Sequence, residues 1–191
     1  MSTKFVRRKK SGRLFKIALL GDGGVGKTAL KERFLGKGFE SSYLMTIGAD
    51  FATYTTQING EEVKLQIWDL AGQARFKEVR SAFYNGTLGA LMVYDVTRKE
   101  SAESMPAWCE ELVKNAGENV NFVLVANKID LRKADPTALT KKDGLKISKT
   151  LSTDTKKTIK YIETSAKDNL NVPQAFLDLA TEIYQSLEKK K

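Results

Sequence analysis

Eight consecutive residues, Gly21-Asp22-Gly23-Gly24-Val25-Gly26-Lys27-Thr28, have the spacing of a loop built to hold phosphate: a glycine, four residues, then Gly-Lys-Thr. Glycine backbone can wrap closely round a polyphosphate with its N–H groups turned inward, and a following helix N-terminus adds a favourable dipole. Lys27 can reach the β- and γ-phosphates, and the Thr28 hydroxyl is an oxygen ligand of the kind Mg2+ prefers. An apolar run precedes the loop and a helical pattern opens at Lys27, the strand–loop–helix order that gives the spacing its meaning.

Two further groups complete a nucleotide chemistry. In Asp69-Leu70-Ala71-Gly72-Gln73 an acid ends an apolar run. Asp69 can hold Mg2+ directly or through water, Gly72 can bring its N–H near a γ-phosphate, and Gln73 can orient a water for in-line attack without being a strong base. In Asn127-Lys128-Ile129-Asp130 the Asp130 carboxylate can accept from N1–H and the 2-amino group of guanine. Adenine has an acceptor at that ring nitrogen and lacks the amino group, so it would leave a charge unpaired. Lys128 can lay its stem against the base and Asn127 can tie this loop to the phosphate loop. Thr164-Ser165-Ala166-Lys167 can offer backbone N–H groups to guanine O6.

The elements that must carry these groups are legible as alternating patterns. Leu14 to Leu20, Leu88 to Tyr94 and Phe122 to Ala126 read as buried strands, and Tyr161-Ile162 as a short final one. Phe51 to Ile58 and Val63 to Trp68, joined through Asn59-Gly60, read as an antiparallel hairpin. Helices are expected at Lys27 to Leu35, Phe76 to Tyr84, Ser101 to Asn115 and Pro173 to Leu187. Thr140 to Leu151 is a weaker helical pattern because of Gly144 and its β-branched residues. The alternation implies an α/β fold: a mostly parallel six-stranded sheet with one antiparallel edge strand and helices on both faces.

Composition removes other chemistries. The 191 residues include no histidine and one cysteine, Cys109, so a Ser-His-Asp triad, a histidine metal site and an internal disulfide are all excluded. The net charge of +9 invites a nucleic-acid or membrane reading. The first 16 residues, however, carry seven bases and no acid, which leaves the rest of the chain with 25 bases against 23 acids. The excess is an N-terminal arm, expected at residues 1–12, before a folded domain at 13–187 and a short basic tail at 188–191. No apolar run approaches the ~20 residues that span a bilayer. A cytoplasmic protein is expected, with weak contact of the arm to an anionic membrane and no nucleic-acid partner. The basic stretch from Lys141 to Lys160 reads as a solvated surface, and Trp108 and Cys109 as plain helix packing.

Taken together, the motifs resemble those of the small GTPases of the Ras superfamily, most closely the Rab-like branch. Trp68-Asp69-Leu70-Ala71-Gly72-Gln73, Asn127-Lys128-Ile129-Asp130 and Glu163-Thr164-Ser165-Ala166-Lys167 carry the resemblance, which runs from about residue 13 to 187. It implies the three-layer P-loop NTPase fold and a role in signalling or vesicle trafficking. It implies that Gly23, Gly24, Val25, Gly26, Lys27, Thr28 and Ala29 hold the nucleotide phosphates, and that Phe39 packs on guanine, with Tyr43 and Gly72 also touching nucleotide. Asn127, Lys128, Asp130, Ser165, Ala166 and Lys167 would hold the base. Thr46 would be the switch I threonine, ligating Mg2+ with Thr28 while Asp69 stands behind, and Ala71 to about Tyr84 would be switch II. Effectors, exchange factors and GTPase-activating proteins would engage a monomer through the switches.

Departures from the family pattern are Ala74 where a glutamate is usual, Leu70 for a common threonine, and a longer segment between Asp130 and Tyr161. No cysteine stands near the C-terminus, so prenylation is not expected of the chain as given. The expected activity is hydrolysis of GTP to GDP and phosphate as a molecular switch, with Gln73, Lys27 and Gly72 as catalytic groups. No arginine lies between Gly38 and Thr46, so switch I brings no arginine finger and slow unaided turnover is expected. The alternatives are a guanine-nucleotide scaffold with little hydrolysis and, third, a P-loop nucleotide kinase.

Overall fold

Period-two alternation in the central strands divides their side chains between two apolar layers. In β1 (Arg13–Leu20), Phe15, Ile17 and Leu19 enter one layer, Ala18 and Leu20 the other. The same split recurs in β4 (Gly89–Asp95) and β5 (Asn121–Asn127), where Leu91, Val93, Val123 and Val125 oppose Ala90, Met92, Tyr94, Phe122, Leu124 and Ala126. Strands buried on both faces need helices on both faces, and the chain supplies them.

The computed structural model describes residues 12–39 and 45–190; residues 1–11 of the expected arm and Tyr43 lie outside them. β2 (Ala49–Ile58) and β3 (Glu61–Leu70) form the antiparallel hairpin, turning at Asn59 and Gly60 with φ of 51° and 77°, the left-handed pair such a turn requires. With β6 (Lys160–Glu163) the sheet order is β2-β3-β1-β4-β5-β6, parallel except for edge strand β2. On one face lie α1 (Lys27–Phe34) and α6 (Val172–Glu188), where Phe34 stacks on Phe176 at 4.1 Å between ring centres. On the other lie α3 (Lys99–Glu103), α4 (Met105–Ala116) and α5 (Lys141–Thr155), which bury Met105, Leu112 and Leu151. α2 (Lys77–Ser81) follows β3. The carboxyl ends of the parallel strands open at one edge of the sheet, where ligands of doubly wound folds bind.

Several expected elements take different bounds. The helix expected over Ser101 to Asn115 is two, α3 and α4, meeting at Ser104, because Pro106 can give no N–H to a continuous helix. The one expected over Phe76 to Tyr84 shortens to α2, preceded by a 3-10 turn at Ala74–Phe76. α5 is longer than its weak pattern implies. Thr140 Oγ1 accepts from Asp143 N while the Asp143 carboxylate accepts from Thr140 N, closing a capping box.

Gly144, which weakened the α5 pattern, has a packing reason: a Cβ there would enter the Tyr161 ring. Tyr161 cannot yield cheaply, since its hydroxyl donates 2.8 Å to Glu163. Gly144→Ala is therefore expected to destabilise by about 1–3 kcal/mol, against the usual helical gain from alanine. Urea unfolding of the two proteins measures it, and an alanine variant as stable as the parent would count against the packing account. The stretch from Lys141 to Lys160 is also not all solvated surface. Lys157 lies half-buried, donating to the carbonyls of Glu118 and Val120 with its ammonium 5.6 Å from the Phe122 ring centre.

Candidate nucleotide and metal site

The loop after β1 wraps an open cleft of about 1100 Å3. Gly26 sits at φ 98°, and a Cβ on it would strike the Asn127 side chain, so this position needs glycine for both conformation and space. Val25 turns its side chain into the core and is wholly buried, leaving only its backbone to the cleft side. Gly23, Gly24, Gly26, Lys27, Thr28 and Ala29 all line the cleft. Lys27 is 7% exposed, its ammonium donating to the carbonyls of Gly21 at 2.6 Å and Asp22 at 2.9 Å. Burial, helped by the charges of Arg80 and Arg98, pushes its pKa down to about 8 against the pull of Asp69 and Asp22.

Three oxygens from three segments meet beside it. Thr28 Oγ1 donates 2.5 Å to Asp69 Oδ2 at the end of β3, and lies 3.0 Å from Thr46 Oγ1. Asp69 is fully buried, yet its Oδ1 has no hydrogen-bond partner, and burial pushes its carboxyl pKa up despite Thr28, Lys27 and Lys31. Two hydroxyls and a carboxylate with one unpartnered oxygen are hard oxygen donors, too few to cage a cation alone but suited to Mg2+ completed by phosphate and water. Among the described residues no cluster of three His, Cys, Asp or Glu offers another metal site. Behind the donors, the buried Lys31 ammonium pairs with Asp50 and stands 4.0 Å from Asp69 Oδ2.

Gly72 packs directly on the phosphate loop; a Cβ there would overlap the backbone of Gly21 and Asp22. Gln73 lies at the cleft wall, its Nε2 donating 2.8 Å to Met45 Sδ. Their segment is anchored by Arg80, 3% exposed, whose Nη1 donates 2.9 Å to the carbonyls of both Ala71 and Gln73. Arg80 is held in turn by Glu111 of α4 at 2.9 and 3.0 Å, and lies 4.4 Å from the Trp108 ring centre. Trp108 does more than pack: its Nε1 donates 2.8 Å to Asp22 Oδ1, and Ser104 donates 3.0 Å to Asp22 Oδ2. α4 thus grips the phosphate loop and the segment after β3 together. Cys109 beside it is buried, and burial pushes its thiol up to about 11, outweighing Lys157, so it is inert packing.

Burial alone would raise the Glu111 carboxyl, but Arg80 and the Tyr84 hydroxyl, 2.7 Å away, outweigh it and hold the carboxyl below its usual range. With the folded value below the unfolded one, this contribution is present above about pH 4.3 and fades as pH falls through the folded value. Glu111→Gln is expected to lose about 1–3 kcal/mol at pH 7 and to close on the parent as the pH falls below the usual carboxylate range. Thermal unfolding across that range tests it; a difference independent of pH would overturn the ion-pair account.

The loops after β5 and β6 build the third corner. Asn127 Nδ2 donates 2.9 Å to Val25 O, which joins its loop to the phosphate loop, and Thr164 Oγ1 donates 3.1 Å to Asn127 Oδ1, which adds the loop after β6. Lys128 reaches Gly24 O and Asp95 Oδ2, both at 2.7 Å, along the cleft wall. Ser165 Oγ donates 2.7 Å to Asp130 Oδ1, which fixes the carboxylate. The N–H groups of Thr164 and Ser165 already serve Ala126 and Leu170. Those of Ala166 and Lys167 have no acceptor among the described residues, so these two can face a base oxygen. Phe39 lines the cleft and is 42% exposed rather than buried in the core.

Sequence reasoning missed Arg33, whose Nε and Nη2 hold the carbonyls of Ala166 and Lys167 at 2.9 and 2.7 Å. It also missed Lys31, Arg80 and Arg98. Nothing in local spacing signals Lys31 or Arg80, but Arg98 follows closely on the carboxyl end of β4, where this fold gathers its site.

A sequence model of the Ras family matches residues 16–185. The chain is 39% identical to a Ras-related protein Rab-10 of Diplobatis ommata over 93% of its own length and 85% of that protein's. It is 39% identical to a Ras-related protein Rab-8A of Rattus norvegicus over 93% and 82% of the two chains. With a Ras-related protein RABE1d of Arabidopsis thaliana, identity is 42% over 91% and 77%. Phosphate loop, oxygen cluster and base corner thus occupy one cleft in a chain that belongs to the Ras family, as a small GTPase of the Rab-like branch.

Proposed function

We propose that the protein hydrolyses GTP slowly on its own and reports the nucleotide state through Thr46 in switch I and the segment from Ala71 in switch II. The observation that carries this reading is the convergence of Thr28, Thr46 and Asp69 oxygens, which joins the phosphate loop, switch I and β3 at one point. Mg2+ held there by Thr28 and Thr46, with Asp69 behind, would neutralise phosphate charge. Lys27 leaves the Gly21 and Asp22 carbonyls for the β- and γ-phosphates, and the loop N–H groups stabilise charge that develops on them. Gln73 orients the attacking water, and Gly72 brings its N–H to the γ-phosphate. Loss of that phosphate frees Thr46 and Gly72 together.

Asp130 selects guanine, Lys128 covers the base from one side and Phe39 from the other, and Ala166 and Lys167 address O6. Ile47 is 81% exposed and, with Met45 and Phe51, gives switch I an apolar surface for partners to bury.

The deciding experiment is single-turnover phosphate release from the GTP-loaded protein and from Gln73→Leu. The parent is expected to turn over slowly and the variant at least about tenfold more slowly. Equal rates would favour the scaffold reading, and equal competition by ATP for the site would return the nucleotide kinase.

A further inference from the structure

Arg98 follows β4 on a turn that is tied at several points. Asp95 Oδ1 accepts from Thr97 N at 2.9 Å and Thr97 Oγ1 at 2.7 Å, and Ser101 Oγ donates 2.6 Å to Arg98 O. The side chain is half-buried at the wall of the cleft, where Nη1 donates 2.9 Å to Gly23 O. Among the described residues no carboxylate pairs with this guanidinium; its one hydrogen-bond partner is a neutral carbonyl. Gly23 is flanked on another side by Gln73, since a Cβ built on Gly23 would lie 3.6 Å from Gln73 Cγ. The charge of Arg98 is also felt at Lys27, where it helps to lower the ammonium pKa.

The Arg98 guanidinium and the Gln73 side chain therefore flank Gly23, the Lys27 ammonium sits on the two residues before it, and what this corner lacks is an anion. A guanidinium held only by a neutral acceptor is free to turn to a phosphoryl group, for which its planar fork is suited.

We propose that Arg98 is a catalytic arginine supplied in cis, from outside switch I, for the transferred phosphoryl group of GTP. The proposal rests on the GTPase reading above. The water oxygen forms the new bond to the γ-phosphorus while the bond from that phosphorus to the β–γ bridging oxygen breaks. The electron pair stays with GDP, and the water's protons go to inorganic phosphate and solvent. Arg98 gives and takes no proton; it turns from Gly23 O to the γ-oxygens and meets the charge that grows there. This arginine contributes to the slow unaided rate, although switch I brings none.

The test uses the full chain, with Mg2+ and GTP, in single-turnover phosphate release by the parent, Arg98→Ala, Arg98→Lys and Gln73→Leu. GDP dissociation from each is measured in parallel. Formation of a GDP–aluminium fluoride complex without any partner protein is followed by tryptophan fluorescence in a Trp68→Phe background, which leaves Trp108, bonded to the phosphate loop, as the reporter. Arg98→Ala is expected to hydrolyse at least about tenfold more slowly, to release GDP within about twofold of the parent, and to lose the aluminium fluoride complex. Arg98→Lys is expected to recover only part of the rate, since an ammonium lacks the fork.

Hydrolysis by Arg98→Ala within about twofold of the parent overturns the proposal. So does a slower rate matched by equally faster GDP loss, which would make Arg98 a prop for Gly23. If Gln73→Leu is impaired while Arg98→Ala is not, only Arg98 falls; if the parent itself does not turn over, the GTPase reading falls with it.

Discussion

Asp130→Asn is expected to weaken GTP binding by at least about a thousandfold and to turn the preference toward xanthosine triphosphate. The carboxylate is acceptor-only, and Ser165 Oγ at 2.7 Å occupies one oxygen without removing its capacity to accept again. Guanine presents two donors to it, N1–H and the 2-amino group. Asparagine would keep one acceptor and place an N–H2 against the amino group, a donor facing a donor in a desolvated corner. Xanthine carries an oxygen at that carbon, which accepts from the asparagine amide while N1–H still donates to its carbonyl. Ser165→Ala should weaken GTP binding far less, by about tenfold, because it frees the carboxylate without changing its character. Competition of GTP, ATP and xanthosine triphosphate against fluorescent GDP measures both. An Asp130→Asn variant that still prefers GTP would refute the assignment of this residue to the base.

The site was legible where chemistry demands consecutive residues. The phosphate loop, Asp69 to Gln73, and Asn127 to Asp130 each concentrate their candidate groups within a few positions, and their order along an α/β alternation puts them at one sheet edge. What stayed hidden depends on long loops through space. Trp108 read as packing because its polar partner, Asp22, is 86 positions away, and Arg33 reaches Ala166 across 133. Gly144 only weakens a local helical pattern, because the Tyr161 ring that occupies its vacant side belongs to the later strand β6, which no local pattern reveals. Ser165 is expected to offer its backbone N–H to the base; the fold uses that N–H for Leu170 and leaves the hydroxyl to fix Asp130.

These long-range bonds also give the cleft its stiffness. Asp22 is held by Ser104 and Trp108, Trp108 stacks beside Arg80, and Arg80 holds the carbonyls of Ala71 and Gln73. The phosphate loop and the segment from Ala71 to Gln73 are thus fastened to the same helix, α4, so a displacement of one is felt by the other. The loop after β5 is fastened separately, through Asn127 to Val25 and through Thr164. The corner proposed for the base and the wall proposed for catalysis consequently have different supports within one cleft, so a single substitution should separate them.

Gly72→Ala should make that separation. The added Cβ would lie 2.6 Å from Asp22 O and closer still to Gly21 O, contacts that real side chains do not make. The loop cannot retreat, because Gly21 already abuts the Val93 backbone and Asp22 is clamped by α4. β3 must therefore release its end from the loop, carrying Gln73 away from Gly23 and straining the carbonyls that Arg80 holds. A displacement of about an ångström at the water-orienting residue costs roughly a hundredfold in rate, so single-turnover hydrolysis should fall by at least that much. GDP dissociation should change by no more than about threefold, since neither Asn127, Asp130 nor the Ala166–Lys167 loop depends on Gly72. Hydrolysis within about twofold of the parent would mean that switch II does not act from this packed position. Equal losses of GDP affinity and rate would mean that the supports are one unit after all, with α4 transmitting the strain to the whole cleft.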